Sequence, residues 1–229
     1  MRWMDDTLRI SAVIPANNER RTIGGIVQSS KRYCDEVIVV DDCSTDDTGL
    51  LSEQVGATVI RNSTRIGIVK SLTRGFEIAT GEIIVTLDAD GQHDPSDIAA
   101  LVRPIIDGEA DVVLGRRNCG LPFSERVLSR IVNIHVKCFD TGSGFRAVRG
   151  KVARKMRLWG ACTCGSFVLE AYEHGARVTE VPITIQPRRY GRSHWSRVSR
   201  GLTHTRQLLI MTRHMLTYDA IRYMRLPQD

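Results

Sequence analysis

The chain of 229 residues has few aromatic side chains, no long apolar runs and no paired cysteine motifs. Phe, Trp and Tyr make up 6% of the sequence, and no apolar run approaches the ~20 residues that a membrane-spanning helix needs. The six cysteines form neither a disulfide framework nor two clusters at zinc-ligand spacing. We therefore expect reduced thiols in a cytoplasmic protein, soluble or peripheral to a membrane, with Cys162 and Cys164 as small core residues.

Two common nucleotide-binding loops are also missing. The sequence contains neither a G-x-x-x-x-G-K-[ST] loop nor a G-x-G-x-x-G turn, so a bound nucleotide would be held in another way. The net charge of +6 and the pI near 9.2 favour an acidic partner such as nucleic acid, anionic lipid or a phosphorylated substrate. Because aromatic residues are scarce, we do not expect a nucleic-acid-binding module.

The first half of the chain alternates strand-like and helix-like segments. Because the predicted strands are continuously apolar and amphipathic helices separate them, we expect an α/β fold with a mostly parallel sheet and helices on both faces. The predicted strands are Ile10–Pro15, Val37–Val40, Thr58–Ile60, Ile83–Leu87 and Asp111–Leu114. The predicted helices are Glu19–Tyr33, Asp46–Val55, Ile68–Ala79 and one that starts near Asp94-Pro95.

The second half is less regular. It contains helix-like segments at Ser124–Lys137 and Phe167–His174, strand-like segments at Gly144–Val148 and Val178–Ile185, and a basic turn at Arg188–Ser193. We expect a catalytic domain over residues 1–195 and a basic amphipathic helical tail over residues 196–229. Such helices are typical of membrane surfaces. The equally weighted alternative is that the tail packs on the domain or on a second subunit of a homo-oligomer.

The most informative motif is Asp88-Ala89-Asp90-Gly91-Gln92, directly after the apolar run Ile83–Leu87. Open α/β sheets bind ligands at the carboxyl ends of their strands, and Mg²⁺ and Mn²⁺ prefer oxygen ligands while leaving positions for substrate phosphates. The motif therefore predicts a metal–diphosphate site. The alternative is that both carboxylates are ordinary turn and cap residues.

Further motifs follow in order along the chain, and together they carry a family resemblance. They are Ile14-Pro15-Ala16-x-Asn18-Glu19, Val40-Asp41-Asp42-x-Ser44-x-Asp46, Leu87–Pro95, Asp111-Val112-Val113-Leu114-Gly115-x-Arg117 and Gly142–Arg146. The chain resembles glycosyltransferase family 2, and most of all its dolichol-phosphate mannosyltransferase branch. The resemblance implies a GT-A fold, a nucleotide-sugar donor, Mg²⁺ or Mn²⁺, and inversion at the anomeric carbon.

The resemblance also implies roles for individual residues. The base and ribose pocket would be lined by Pro15, Asn17, Glu19, Val40 and Asp42. The diphosphate and sugar would contact Asp88, Ala89 and Asp90, with the metal on Asp88, Asp90 and Gln92. Phosphates of the donor or acceptor would contact Arg116, Arg117 and Arg130, and a mobile loop that carries Arg189 and Arg192 would close over the donor.

The implied reaction moves a hexosyl group from GDP-mannose or a UDP-sugar to a polyprenyl or dolichyl phosphate at the cytoplasmic membrane face. A phosphate acceptor is already ionised and needs no strong base. If the acceptor were a sugar hydroxyl, a carboxylate base would be needed, and Asp140 is the candidate. A nucleotidyltransferase is a further alternative, although Pro15–Arg21 lacks the glycine-rich loop expected there. Around Cys162–Ser166 the family usually carries acidic residues, and here the first is Glu170.

Overall fold

A computed structural model describes residues 8–188 and 197–224, and the side chains of the last helix between residues 199 and 220. Its strands form one sheet in the order β3-β2-β1-β4-β6-β5-β7. Strand β6 runs antiparallel to β4 and β5, and every other pair is parallel. The strands are β1 (Ile10–Ala16), β2 (Glu36–Asp41), β3 (Thr58–Arg61), β4 (Ile83–Thr86), β5 (Val112–Arg117), β6 (Arg146–Arg149) and β7 (Val178–Ile183).

Helices cover both faces of this sheet, which confirms the predicted fold class. Adjacent strand residues point to opposite faces, so Val13 packs in one apolar core while Ala12 and Ile14 pack in the other. Buried residues on both faces explain why the strands are continuously apolar. The helices are α1 (Ile23–Ser30), α2 (Thr48–Gln54), α3 (Ile68–Ile78), α4 (Ile98–Ile106), α5 (Phe123–Val132), α6 (Gly150–Ala153), α7 (Ser166–Glu173) and α8 (Arg197–Met224).

Several boundaries differ from the sequence prediction for local reasons. Helix α1 begins at Ile23 rather than Glu19, because the backbone N–H of Glu19 donates to Thr48 Oγ1 and its carbonyl closes a turn with Thr22. Helix α5 ends at Val132, where Asn133 Oδ1 accepts the backbone N–H of Cys138 and reverses the chain. Capping contacts of this kind set where a helix begins and ends.

Helix α8 packs one side against the domain and exposes the other. His204, Gln207, Met211 and Met215 are buried, whereas Leu202, Leu209 and Leu216 are 69%, 68% and 67% exposed. Among the described residues, no helix combines the length and the apolar composition that a membrane span requires. The division of the chain at residue 195 stays a prediction, yet α8 contributes side chains to the cavity described next.

Candidate active site

A cavity of about 560 Å³ lies at the carboxyl ends of β1, β2 and β4. This volume is within the range of sites that bind small molecules. Part of the lining comes from residues at the three strand ends, and another part from the segment 161–164 and the beginning of α8. The expected donor-site residues on its lining are Pro15, Asn17, Glu19, Asp42, Asp88, Ala89, Asp90 and Gln92.

One part of the lining, the acidic wall, consists of the carboxylates of Asp88 and Asp90 and the carboxamide of Gln92. The side chain of Asp88 is 38% exposed and that of Asp90 is 17% exposed. Asp90 Oδ1 accepts the backbone N–H of Gln92 at 3.1 Å. Burial, followed by the charge of Asp88, raises the pKa of Asp90. A cation bound between these oxygens would relieve that repulsion, and oxygen donors of this type fit Mg²⁺ or Mn²⁺.

Two neighbours fix the position of Asp88. The backbone N–H of Asp88 donates to Nδ1 of the buried His93 at 3.3 Å, and the His93 ring lies 5.0 Å from the ring of Phe145. On the other side, Gly144 approaches so closely that a Cβ there would lie 2.4 Å from Asp88 Oδ1. Gly144 therefore leaves room for the carboxylate, and any side chain at this position would displace it.

The segment that follows β7 brings an arginine to the acidic wall. The backbone N–H of Gln186 donates to the carbonyl of Gln92 at 2.8 Å, which holds this segment beside the Asp88–Gln92 motif. Arg188 pairs with Glu19 and lies 3.7 Å from Asp90 Oδ2. Arg189 and Arg192, the two arginines expected to close over the donor, lie outside the described residues. In the described part of the basic turn, Arg188 is the arginine at the cavity.

Asp42, which directly follows β2 on the lining, holds the loop at residues 66–67. Its carboxylate accepts the backbone N–H groups of Ile66 and Gly67, both at 2.8 Å. Asn17 Nδ2 donates to the Asp42 carbonyl at 2.8 Å. Val40 differs from its expected position, because its side chain is fully buried in the core and does not line the cavity. It can shape the pocket only through the strand that carries it.

Four expected residues lie away from the described lining: Arg116, Arg117, Arg130 and Asp140. Arg117 is held by Asp140 (Nη2–Oδ1, 2.6 Å) and by Glu125 (2.5 Å). Burial alone would raise the pKa of Asp140, but the hydrogen bonds and charge of Arg117 lower it overall. A buried carboxylate paired in this way is a poor proton acceptor. The structure therefore disfavours Asp140 as the base for a hydroxyl acceptor.

Arg116 and Arg130 are exposed on the surface. The Arg116 guanidinium lies 5.9 Å from the ring centroid of the exposed Phe139, and Arg130 lies in the last turn of α5. Neither residue is on the lining of the described cavity.

The segment 161–164 and the beginning of α8 contribute lining residues that the sequence did not indicate. These are Cys162, Cys164, Ser199, Arg200 and His204. The cysteines are packed as small core residues were expected to be, but they also face the cavity. No periodicity or spacing connects a Cys-x-Cys pair with a histidine 40 residues later, so only the packing of α8 reveals this group.

Comparison with known proteins agrees with the geometry. The model of the family "Glycosyl transferase family 2" matches residues 11–156. A polyprenol monophosphomannose synthase of Mycolicibacterium smegmatis is 30% identical over 83% of this chain and 82% of its own length. A dolichol-phosphate mannosyltransferase of Pyrococcus furiosus is 30% identical over 81% of this chain and 59% of its own length.

A solved structure shares the fold. Glucosyl-3-phosphoglycerate synthase from Mycobacterium tuberculosis, in complex with Mn²⁺, UDP and phosphoglyceric acid, superposes with a TM-score of 0.75 at 24% identity. The match covers 88% of this chain and 76% of that one. The matched family segment includes the strand ends and the acidic motif that line the cavity. The chain therefore belongs to glycosyl transferase family 2, and it is a glycosyltransferase.

Proposed function

We propose that this protein transfers a hexosyl group from a nucleotide-diphosphate sugar to a polyprenyl phosphate, with inversion at the anomeric carbon. The observation that carries the proposal is that each carboxylate on the described lining already has a partner or another role. Glu19 pairs with Arg188, Asp42 holds the 66–67 backbone, and Asp88 and Asp90 would hold the cation. No described lining carboxylate is therefore placed to deprotonate a hydroxyl, whereas a phosphate acceptor needs no such base.

The donor would lie along the acidic wall. Asp88, Asp90 and the Gln92 carboxamide would hold Mg²⁺ or Mn²⁺, which supplies positive charge to the leaving diphosphate. Arg188 adds a guanidinium at the same place, and such groups bind phosphate oxygens with two N–H donors. Asn17 and Asp42, which lie side by side on the lining, would contact the base and ribose. Both relatives reported above are named for phosphomannose or mannosyl transfer, which supports mannose as the transferred sugar.

The acceptor phosphate would bind beside the beginning of α8. Ser199 and Arg200 belong to the first turn of α8 and line the cavity, so they supply a hydroxyl and a guanidinium that the donor-site residues do not include. The names of both relatives include a polyprenol or dolichol phosphate product, which supports a lipid-linked acceptor.

Exposed apolar and basic side chains on and after α5 favour contact with a membrane surface. Phe123, Ile134 and Phe139 are more than two thirds exposed. Arg126 lies 5.9 Å from the ring of Phe123, as Arg116 does from that of Phe139. Apolar side chains interleaved with arginines favour a bilayer with anionic headgroups. We therefore propose peripheral association at the cytoplasmic face.

The test is a transfer assay with labelled GDP-mannose, UDP-glucose and UDP-N-acetylglucosamine, each with Mn²⁺. Polyprenyl phosphate and the corresponding polyprenol serve as matched acceptors. We expect labelled lipid from the phosphate alone, and no product in EDTA. Transfer to the polyprenol or to a free sugar, with none to the phosphate, would contradict the proposed acceptor.

A further inference from the structure

The cavity contains a second group of ligand-type side chains that the proposed function does not use. The sulfur atoms of Cys162 and Cys164 and a ring nitrogen of His204 all lie within 4.8 Å of one another. The Cys164 Sγ to His204 Nε2 distance is 3.7 Å. All three residues line the cavity. The fold therefore brings a histidine next to a cysteine pair that lies 40 residues earlier in the sequence.

These donor atoms suit a cation different from the one expected at the acidic motif. Thiolate and imidazole ligands select Zn²⁺, whereas carboxylate and carboxamide oxygens select Mg²⁺ or Mn²⁺. Zinc lies about 2.3 Å from sulfur and about 2.0 Å from nitrogen, so tetrahedral ligand atoms are about 3.5–3.8 Å apart. The observed separations reach this range with small side-chain rotations. Three protein ligands also leave a fourth position open.

The histidine is oriented by a neighbour on its far side. His204 Nδ1 lies 2.8 Å from Ser124 Oγ. When Nδ1–H donates to this hydroxyl, the lone pair of Nε2 is directed at the two sulfur atoms. Metal-binding histidines are commonly held by such an outer hydrogen bond, which fixes the tautomer and the ring plane.

The cysteine segment is fastened by the same helix that carries the histidine. Gln207, fully buried and one turn after His204, accepts the backbone N–H of Ala161 at 2.7 Å and that of Cys162 at 3.3 Å. Its Nε2 donates to the Cys164 carbonyl at 3.3 Å. The three ligands are therefore held in one rigid unit rather than on a free loop, as a preorganised site requires.

A buried positive charge lies next to the two cysteines. Arg146 is fully buried, and its Nη2 donates to Oγ1 of Thr163, the residue between them, at 3.2 Å. Its Nε and Nη1 have no hydrogen-bond partner among the described residues. An unpaired buried cation is costly, and two thiolates bound to a divalent cation would place negative charge beside it.

We propose that Cys162, Cys164 and His204 bind one Zn²⁺ ion, with its fourth position open to the cavity. Water or an anionic oxygen from the cavity completes the coordination. The site is separate from Asp88 and Asp90, and the proposal does not depend on the sugar or the acceptor.

Cobalt titration of the reduced, metal-stripped full chain tests the proposal. We expect one Co²⁺ per chain, with a thiolate-to-cobalt charge-transfer band in the near ultraviolet that Zn²⁺ removes. The band should persist in Asp90→Ala, which lacks an oxygen ligand of the other site. Cys164→Ser and His204→Ala should weaken Co²⁺ binding on the order of 100-fold or more, while Cys119→Ser, a change at an exposed cysteine, should leave it unchanged.

A missing charge-transfer band in the unmodified protein would overturn the proposal, as would a band that survives both Cys164→Ser and His204→Ala. Circular dichroism establishes that each variant is folded. Where a cysteine variant does not fold, the His204→Ala result decides, because that change leaves the cysteine segment and its Gln207 contacts in place. A failed transferase assay would leave the cobalt result intact, so the two proposals can fail separately.

Discussion

The guanidinium of Arg188 lies 3.7 Å from Oδ2 of Asp90 and pairs on its other side with Glu19. The segment after β7 is therefore joined to the acidic motif through charge as well as through the backbone contacts of residues 92 and 186. An incoming diphosphate would compete with both carboxylates for this arginine. Arg188 thus links Glu19 to Asp90 at the place where we propose that the diphosphate binds.

Replacement of Arg188 by alanine should weaken nucleotide-diphosphate binding about 10-fold to 100-fold, the value of a hydrogen bond to a charged group. Isothermal titration with GDP or UDP in the presence of Mn²⁺ measures the change. Arg188→Lys should recover part of the affinity, because lysine keeps the charge but loses the two-donor geometry. Arg103→Ala, at a surface pair with Asp107, is the control. Unchanged affinity in Arg188→Ala would remove this arginine from the donor site.

The variant Asp90→Asn should lose activity by on the order of 100-fold or more and yet unfold at a higher temperature without metal. Burial and Asp88 raise the pKa of Asp90 in the folded chain. A group whose pKa is raised on folding stabilises the folded state below its unfolded pKa, and this contribution is lost as pH rises through the folded pKa. At neutral pH the ionised Asp90 therefore destabilises the fold. Thermal unfolding in EDTA at pH 7 measures this. A lower melting temperature would refute the electrostatic account.

The same pKa shift predicts the pH dependence of metal binding. Because burial and the charge of Asp88 raise the pKa of Asp90, Mn²⁺ affinity should fall on acidification at a higher pH than it would for an unperturbed aspartate. Titration of Mn²⁺ between pH 7 and pH 4.5 measures the decline. The variant Asp90→Asn should show weak binding that varies little over this range, and a wild-type affinity that stays constant would contradict the assignment.

The variant Gly144→Ala should reduce activity strongly and cost about 1–3 kcal/mol of stability, as overpacking does. The added methyl would overlap the Asp88 carboxylate. The matched control is Gly120→Ala, because a Cβ at Gly120 meets no atom within 4 Å. Urea unfolding and the transfer assay measure both effects. Equal behaviour of the two variants would show that Asp88 can move without loss of function.

Replacement of Asp140 by asparagine should destabilise the fold by about 3–5 kcal/mol, since one partner of a buried ion pair is removed. Arg117 keeps the pKa of Asp140 low against the effect of burial. The contribution of Asp140 to folding stability is therefore present above the unfolded pKa of about 3.9 and is lost as pH falls through the lower folded pKa. Urea unfolding at pH 7 and pH 3 measures the difference. Asp107→Asn, at an exposed pair, should change stability by less than about 1 kcal/mol.

The sequence was sufficient to predict which strand ends line the cavity. Apolar strands that end in Pro15–Glu19, Asp41-Asp42 and Asp88–Gln92 are local patterns, and parallel strands bring their carboxyl ends together. The sequence was less informative about residues whose position depends on antiparallel β6 and on α8. Arg117 lies at the end of β5 and Asp140 lies between α5 and β6, and only the structure shows that they pair with each other rather than with a substrate.

The tail shows why amphipathic pattern alone is ambiguous. Its apolar residues include Met211 and Met215, which are buried, and Leu209, which is exposed. Both sides of α8 therefore carry apolar side chains, and sequence cannot assign one of them to the domain. His204 and Gln207 complete the buried side, and no rule of amphipathicity places a histidine and a glutamine there.

The combined variant Leu202→Ser, Leu209→Ser and Leu216→Ser should lose binding to anionic vesicles and slow transfer to polyprenyl phosphate, while donor binding is unchanged. Removal of three exposed apolar side chains lowers membrane affinity without opening the core. Vesicle flotation measures binding, and Leu50→Ser, at an exposed leucine on α2, is the control. If flotation is unaffected and the variant dissociates from dimer to monomer, these leucines form a subunit interface instead.

These three leucines also define an orientation. Leu202 and Leu216 are about 21 Å apart along the axis of α8, and a seven-residue spacing drifts by only about 20° per repeat. A line of contacts this long requires the helix to lie flat on the surface that it touches. His204 faces the cavity from the opposite side, so the reaction centre would lie roughly one helix diameter, about 10 Å, above that surface. A lipid phosphate would have to rise by this height, and the first isoprene units would leave the bilayer with it.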